Sequence, residues 1–507
     1  MVTRTIEADA RGDAFPEAGR ASLYIVGALI ALRVVTAAYL PLSFDESYFW
    51  LWSKHLAVSY YDHPPLIALA IKLGTLIFGD TEFGVRAASL AASIGASWAV
   101  WRAAAILTGN EAAGGLACCF FNATLMIASQ SMAATPDALV LAASAFVLLG
   151  VAKLQDTLDG RWWLAIGAAL GAAFLTKYTA FFLGAGVALW LIGTREGRIW
   201  LRSPWPYAAA LLAFACLAPN LLWNAAHDWI SFRFQFGRVV SGAPTIRYFL
   251  EFVGGQFALA SPFILILAVA GLTQQTWRWP ATEPLAIAAA IMWPALIYFT
   301  VHSIHDRVQG NWPSFIYPAL AVLAAAMAVS SARRFSILAI SRMLALPVAF
   351  CVLLAVYAQI LTGILPLTGR YDPVARILGV GIGPVADDIE KLATQRGAEA
   401  IVTTTYVTTG WLSFYLHPSI PIIQINEDYR WLQTPRADSN MLHAPLLYVT
   451  QNPQVELKDA AAHFASVKLE KILARRNRGA EVEKFYVYSL AGFHGAVIGR
   501  LPNAASR

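Results

Sequence analysis

The chain has 507 residues, 58% of them hydrophobic and only 13% charged, with a formal net charge of +6 at pH 7. Soluble globular domains run at about 45–50% apolar and about 25% charged residues, so this composition excludes a protein that is soluble along its whole length. Its cysteines, Cys118, Cys119, Cys216 and Cys351, all fall in apolar segments, which excludes a disulfide framework or a thiolate metal site.

Residues 1–20 are polar and mixed in charge, without the basic-then-apolar layout of a cleavable leader, and read as a cytoplasmic tail. Residues 21–40 form a first membrane span broken only by Arg33. Ser43-Phe44-Asp45-Glu46 follows, and Ser43 with Glu46 has the spacing of a capping box. Capping accounts for Ser43 and Glu46, but it leaves Asp45 as either a favourable charge in a first helical turn or a chemical group. Tyr60-Tyr61-Asp62-His63-Pro64-Pro65 comes next, again with an acid and prolines suited to a helix start. The segments at about 45–79 are too short to cross a hydrocarbon core about 30 Å thick. They read as interfacial helices, with Trp50, Trp52, Tyr60 and Tyr61 in the headgroup belt.

Further spans are expected near 84–107, 112–130, 137–153, 162–176, 178–194, 206–223, 249–273, 285–302, 313–331 and 345–366, making about eleven with the first. With the N-terminus inside, Lys and Arg concentrate in inner loops, above all 195–202 and 333–342, the bias expected of a cytoplasmic face. The region 369–507 then lies outside, in the periplasm. Its alternating helix and strand patterns predict a small α/β domain without a phosphate loop or nucleophile elbow, suited to shaping a partner or acceptor surface.

The same topology gathers the unusual polar residues at the outer face. Asp45, Glu46, Asp62, His63 and Asp137 collect there with the 224–248 loop and the segment holding His305, Asp306, Arg307, Asn311 and Trp312. Lys177, between two short apolar helices, either snorkels to the interface or pairs with an anion. Carboxylates at a membrane edge are costly to bury, so this convergence points to a site.

Five motifs occur in order: Asp45-Glu46 after the first span, Tyr61-Asp62-His63-Pro64, Phe78-Gly79-Asp80-Thr81-Glu82-Phe83-Gly84-Val85-Arg86, Ala134-Thr135-Pro136-Asp137 and Leu175-Thr176-Lys177. Together, and with Asn311-Trp312-Pro313, they resemble the bacterial GT-C glycosyltransferases of the protein mannosyltransferase and aminoarabinose–lipid A transferase family. The resemblance covers residues 21–368. It implies a polytopic α-helical membrane protein of the GT-C fold, with about 11–13 transmembrane helices and the periplasmic α/β domain at 369–507. It also implies a polyprenyl-phosphate sugar donor, a lipid A, glycan or protein acceptor in the envelope, membrane lipids around it, and an inner-membrane location. Nucleotide or redox cofactors and nucleic-acid partners are not expected.

By this resemblance Asp45 would be the general base of a single inverting displacement, and His63, Arg86, Lys177 and Arg307 would bind the donor phosphate. Glu46, Asp62 and Asp137 would support these groups or hold a divalent metal ion; Tyr61, Tyr178, His305 and Asn311 complete the candidates. Two departures stand out. Asp62-His63-Pro64 sits where aminoarabinose transferases resemble Glu-Lys-Pro, and His227 is the nearest histidine to their metal-linked one. A polyprenyl-linked sugar or lipid transporter is the alternative, whose mark would be inverted repeats with broken helices near the midplane. A non-catalytic envelope scaffold is a third, and it leaves the membrane-edge acids unexplained.

Overall fold

The computed structural model describes residues 15–237, 243–278, 284–330, 336–365, 367 and 371–504. Most of the tail, and Arg333 and Arg334 of the expected inner loop, lie outside this set. Five helices among the described residues are long and apolar enough to cross a membrane: Ala21–Tyr39, Glu82–Thr108, Pro136–Thr157, Trp205–Ala226 and Ile337–Thr362. Shorter apolar helices, Trp162–Phe174, Ala180–Gly193, Ala286–His302 and Ser314–Val329, fall where the other spans were expected.

Two expected spans are bent pairs. Glu111–Ala123 and Leu125–Met132 meet at 69° across Thr124, whose hydroxyl accepts from the Ile127 N–H to start the second helix. Ile246–Ala260 and Pro262–Trp277 meet at 106°. There Ser261, at φ 68°, precedes a proline that disfavours helical geometry in the residue before it.

Small residues set the packing of the membrane core. Pro136–Thr157 is packed by Glu82–Thr108 on one side and Trp162–Phe174 on the other. At Gly167 an added Cβ would sit 2.6 Å from the Ala209 carbonyl oxygen, so only glycine permits that helix approach.

The C-terminal domain is built on one mixed sheet of order β2-β1-β3-β5-β4. Its strands are β1 (Ala400–Thr403), β2 (Ile422–Gln424), β3 (Leu446–Thr450), β4 (Phe464–Asn477) and β5 (Ala480–Phe493). β1 runs parallel to β2 and β3, and β5 antiparallel to β3 and β4. β4 was not anticipated: its Lys- and Arg-rich face is largely exposed, so it lacks the apolar alternation that marks a half-buried strand. The tight Arg478-Gly479 turn, with both residues at positive φ, pairs it with β5.

The domain docks on the Phe44–Lys54 helix. The Tyr406–Tyr415 helix packs against it, with Phe44 6.1 Å from Trp411 and Trp50 5.0 Å from Phe414, both edge to face. Trp411 Nε1 donates to the Leu42 carbonyl at 3.1 Å, and the Leu42 N–H donates to Tyr415 Oη at 2.7 Å. This overturns the headgroup-belt expectation for three aromatics. Trp50, Trp52 and Tyr60 are 8%, 0% and 1% exposed, and Trp52 stacks on Tyr60 at 4.1 Å. Protein, not lipid headgroups, covers them.

Candidate active site

Where Pro136–Thr157, the Leu175–Thr179 break and the Phe44–Lys54 helix meet the C-terminal domain, a cavity of about 520 Å³ opens. Asp45, Asp62, His63, Asp137, Lys177, Tyr178 and Asn311 line it, as do Tyr406 and Arg430 from the C-terminal domain. Phe181, Phe182, Tyr298, Phe299 and Trp312 form its apolar wall. His302 also lines it, with both ring nitrogens buried and without a hydrogen-bond partner among the described residues.

The expected capping box forms: Ser43 Oγ accepts from the Glu46 N–H at 3.2 Å, and Glu46 Oε2 accepts from the Ser43 N–H at 2.8 Å. It fixes the first turn of Phe44–Lys54 and sends Asp45 and Glu46 in different directions. Glu46 is fully buried and accepts from Arg86 Nε at 2.6 Å, Arg86 Nη2 at 2.8 Å and the Ala134 N–H at 3.0 Å. Burial pushes this carboxyl up, but the Arg86 charge and hydrogen bonds outweigh it and hold the group below its ordinary value. Arg86 spends its remaining donors on the carbonyls of Ala37, Leu40 and Pro41.

Asp137 lies in the first turn after Thr135-Pro136, where the helix dipole favours a carboxylate. It accepts from Lys177 Nζ at 2.9 and 3.0 Å, Asn311 Nδ2 at 2.9 Å and Ser314 Oγ at 2.9 Å. Lys177 reaches it from the break between Trp162–Phe174 and Ala180–Gly193, so this lysine pairs with an anion rather than snorkelling.

Asp62 accepts from Tyr48 Oη at 2.7 Å and from Arg430 Nη1 at 2.5 and 2.6 Å. Arg430 also contacts Glu427 through Nε at 3.1 Å, and its guanidinium lies 4.6 Å from the Tyr406 ring and 5.2 Å from the Tyr61 ring.

Of the three acids lining the cavity, two are thus engaged by cations. Asp45 is the third, and it has no hydrogen-bond partner among the described residues. Burial first, then the nearby charges of Asp62 and Glu46, push its carboxyl up from 3.8 to about 7, against a lowering by Arg430.

Several expected site residues fall elsewhere. Arg86 is buried in its pair with Glu46 and cannot reach a phosphate in the cavity. Arg307 is exposed and donates to Glu251 at 2.8 Å. His305 lies outside the cavity lining, its Nδ1 3.3 Å from the Val301 carbonyl, and Tyr61 packs between Phe234 and Tyr429 with its ring tilted to both. The acids named for a metal do not converge, because Glu46, Asp62 and Asp137 each face a different cation. Among the described residues no three His, Cys, Asp or Glu side chains are placed to hold an ion. Tyr48, His302, Tyr406 and Arg430 were missed. No local signal marks Arg430 in particular, 368 residues from its partner Asp62.

The description "Dolichyl-phosphate-mannose-protein mannosyltransferase" fits residues 62–223 as a family match. The lipid A galacturonosyltransferase RgtD of Rhizobium johnstonii is 26% identical over 310 residues, 60% of this chain and 65% of that protein. The undecaprenyl phosphate-alpha-4-amino-4-deoxy-L-arabinose arabinosyl transferase of Pseudomonas aeruginosa is 27% identical over 300 residues, 55% of this chain and 51% of that protein. The chain thus spans less than two thirds of each relative's length. Two crystal structures of ArnT from Cupriavidus metallidurans, apo and bound to undecaprenyl phosphate, superpose with TM-scores of 0.63 and 0.62 at 17% and 16% identity. Each superposition covers 93% of this chain and 98% of that one. The fold is that of these GT-C transferases: a multi-span membrane domain with a C-terminal α/β domain.

Proposed function

We propose that the protein is a membrane glycosyltransferase that moves one sugar from a polyprenyl phosphate to lipid A or a related envelope acceptor on the periplasmic side. The observation that carries this is Asp45, a carboxylate without a hydrogen-bond partner among the described residues, in a cavity whose other acids are engaged by cations. The names of the relatives support a lipid-phosphate donor and a lipid A acceptor. Between an acidic hexose and an aminopentose, the higher coverage of the galacturonosyltransferase favours the hexose.

In the reaction the acceptor hydroxyl oxygen attacks the anomeric carbon while the bond to the donor phosphate oxygen breaks. The bonding pair leaves on the phosphate, and Asp45 takes the hydroxyl proton. A carboxylate pushed up to about 7 is a stronger base than an ordinary aspartate and is still half ionised at neutral pH. Lys177 and His63, both at the cavity, are the groups proposed to meet the departing phosphate, which needs charge stabilisation more than a proton. The apolar wall of Phe181, Phe182 and Phe299 suits the first isoprene units.

The test is transfer by purified protein from polyprenyl-phosphate galacturonic acid and from its aminoarabinose counterpart to lipid A. Asp45→Asn should fold and bind donor yet lose at least about 100-fold in turnover, the range a positioned general base supplies. Full turnover in that variant would remove Asp45 from the role. Movement of donor lipid across vesicles with no glycosylated product would make the protein a transporter instead.

A further inference from the structure

The cavity has an acidic surplus at one end. Asp45 and Asp62 both line it, and Glu46 is next in sequence to Asp45. Two carboxylates close together resist joint ionisation, so a base with an ionised neighbour becomes harder to deprotonate. Glu46 is balanced by Arg86 within the membrane domain itself. Among the described residues of that domain Asp62 has no such partner: its cation, Arg430, arrives on the Asp428–Arg430 turn of the C-terminal domain.

We propose that Arg430 is a positioning residue for Asp45: it holds and neutralises Asp62, leaving Asp45 as the carboxylate turned to substrate. The inference rests on the reading of Asp45 as the base. Arg430 is built in for this. It is 12% exposed, grips Asp62 through both carboxylate oxygens, and leans on Glu427. The rings of Tyr48, Tyr61, Tyr406 and Tyr429 surround its guanidinium at 4.6–5.8 Å, a cage that fixes a planar cation.

The other charged groups around Asp45 are accounted for. Asp137 is balanced by Lys177, Glu427 already contacts Arg430, Tyr48 donates to Asp62, and His63 and Tyr406 are further titratable groups of the lining. Arg430 is thus the cation whose removal changes the field at Asp45 most directly, and it stands among the groups acting on that carboxyl.

The experiment uses the full chain in lipid nanodiscs and follows the Asp45 carboxylic acid band by infrared difference spectroscopy, assigned as the band missing in Asp45→Asn. In Arg430→Met the band should titrate about one pH unit or more higher than in wild type. In Asp62→Asn, which frees Arg430 beside Asp45, it should titrate lower. The double variant should return close to wild type, and the acid limb of the turnover–pH profile should follow the same order. Arg430→Lys keeps the charge but loses the planar fork that reaches Asp62 through Nη1 and Glu427 through Nε at once, so it should hold the wild-type midpoint while turnover falls about tenfold. Midpoints unmoved in both Asp62→Asn and Arg430→Met would overturn the proposal; should Arg430→Met fail to fold, an unmoved Asp62→Asn would do so alone. Absence of sugar transfer by the wild type would defeat the functional reading, while the infrared titration would still decide the role of Arg430.

Discussion

The fate of each carboxylate follows from its partners. Asp45 and Glu46 are neighbours, yet one is pushed up to about 7 and the other held down, because Arg86 and two backbone N–H groups serve only Glu46. The raised carboxyl carries a stability cost of definite sign. As pH rises past 3.8 the unfolded chain gives up this proton, whereas the folded protein keeps it until about 7, so Asp45 destabilises the fold progressively across that window. Asp45→Asn, which cannot ionise, should therefore melt higher than wild type at pH 8. The gap should shrink as pH falls from 7 and close near pH 4, as read by thermal unfolding in detergent. A gap independent of pH would separate the stability effect from the ionisation.

Helices locate the site through pairs that bridge them. Glu46 and Arg86 tie the Phe44–Lys54 helix to Glu82–Thr108, with neither side chain more than 2% exposed. Removing one partner from a buried pair strands a charge, so Arg86→Met should cost about 3–5 kcal/mol, seen as a fall in melting temperature. Adding Glu46→Gln to it should recover most of the loss. If both variants melt alike, the cost is packing around the arginine stem instead.

At this scale the sequence was readable in part. Hydropathy located the apolar helices from 21–40 to 345–366 because burial in lipid demands long apolar runs. The Ser43–Glu46 spacing foretold its capping box because capping is local. The 106° bend at Ser261 was missed, since apolar character persists straight through it. Trp50, Trp52 and Tyr60 were misassigned because an aromatic suited to headgroups is equally suited to a protein interface.

Across the whole molecule, the C-terminal domain is one wall of the cavity. Tyr406 and Arg430 line the cavity, and Trp411, Trp431 and Arg475 are buried. Arg475 Nη1 reaches the carbonyls of Ala375, Leu378 and Val380 at 2.8–2.9 Å, fastening the segment 375–380 to the sheet. Trp411→Ala removes a buried indole that donates to Leu42, and such truncations cost about 3–5 kcal/mol. It should loosen the domain contact, measured as faster amide exchange in the Phe44–Lys54 helix and lower turnover with the span helices intact. Unchanged exchange there would mean that the two domains hold together without it. Charge placement pointed to a gathering of Asp45, Asp62, His63 and Asp137, which line one cavity, but contacts such as Asp62–Arg430 join residues 368 apart and leave no local pattern.

That separation also has a consequence for synthesis. Chains emerge from the ribosome N-terminus first, and domains fold as units in that order. Asp45 and Asp62 are therefore synthesised long before the segment carrying Arg430 has been translated. Until then the nascent protein holds two adjacent acids without their cation, and its roof is missing. A polypeptide released before Arg430 would be left with an unfinished pocket, its Asp62 without the guanidinium that engages it.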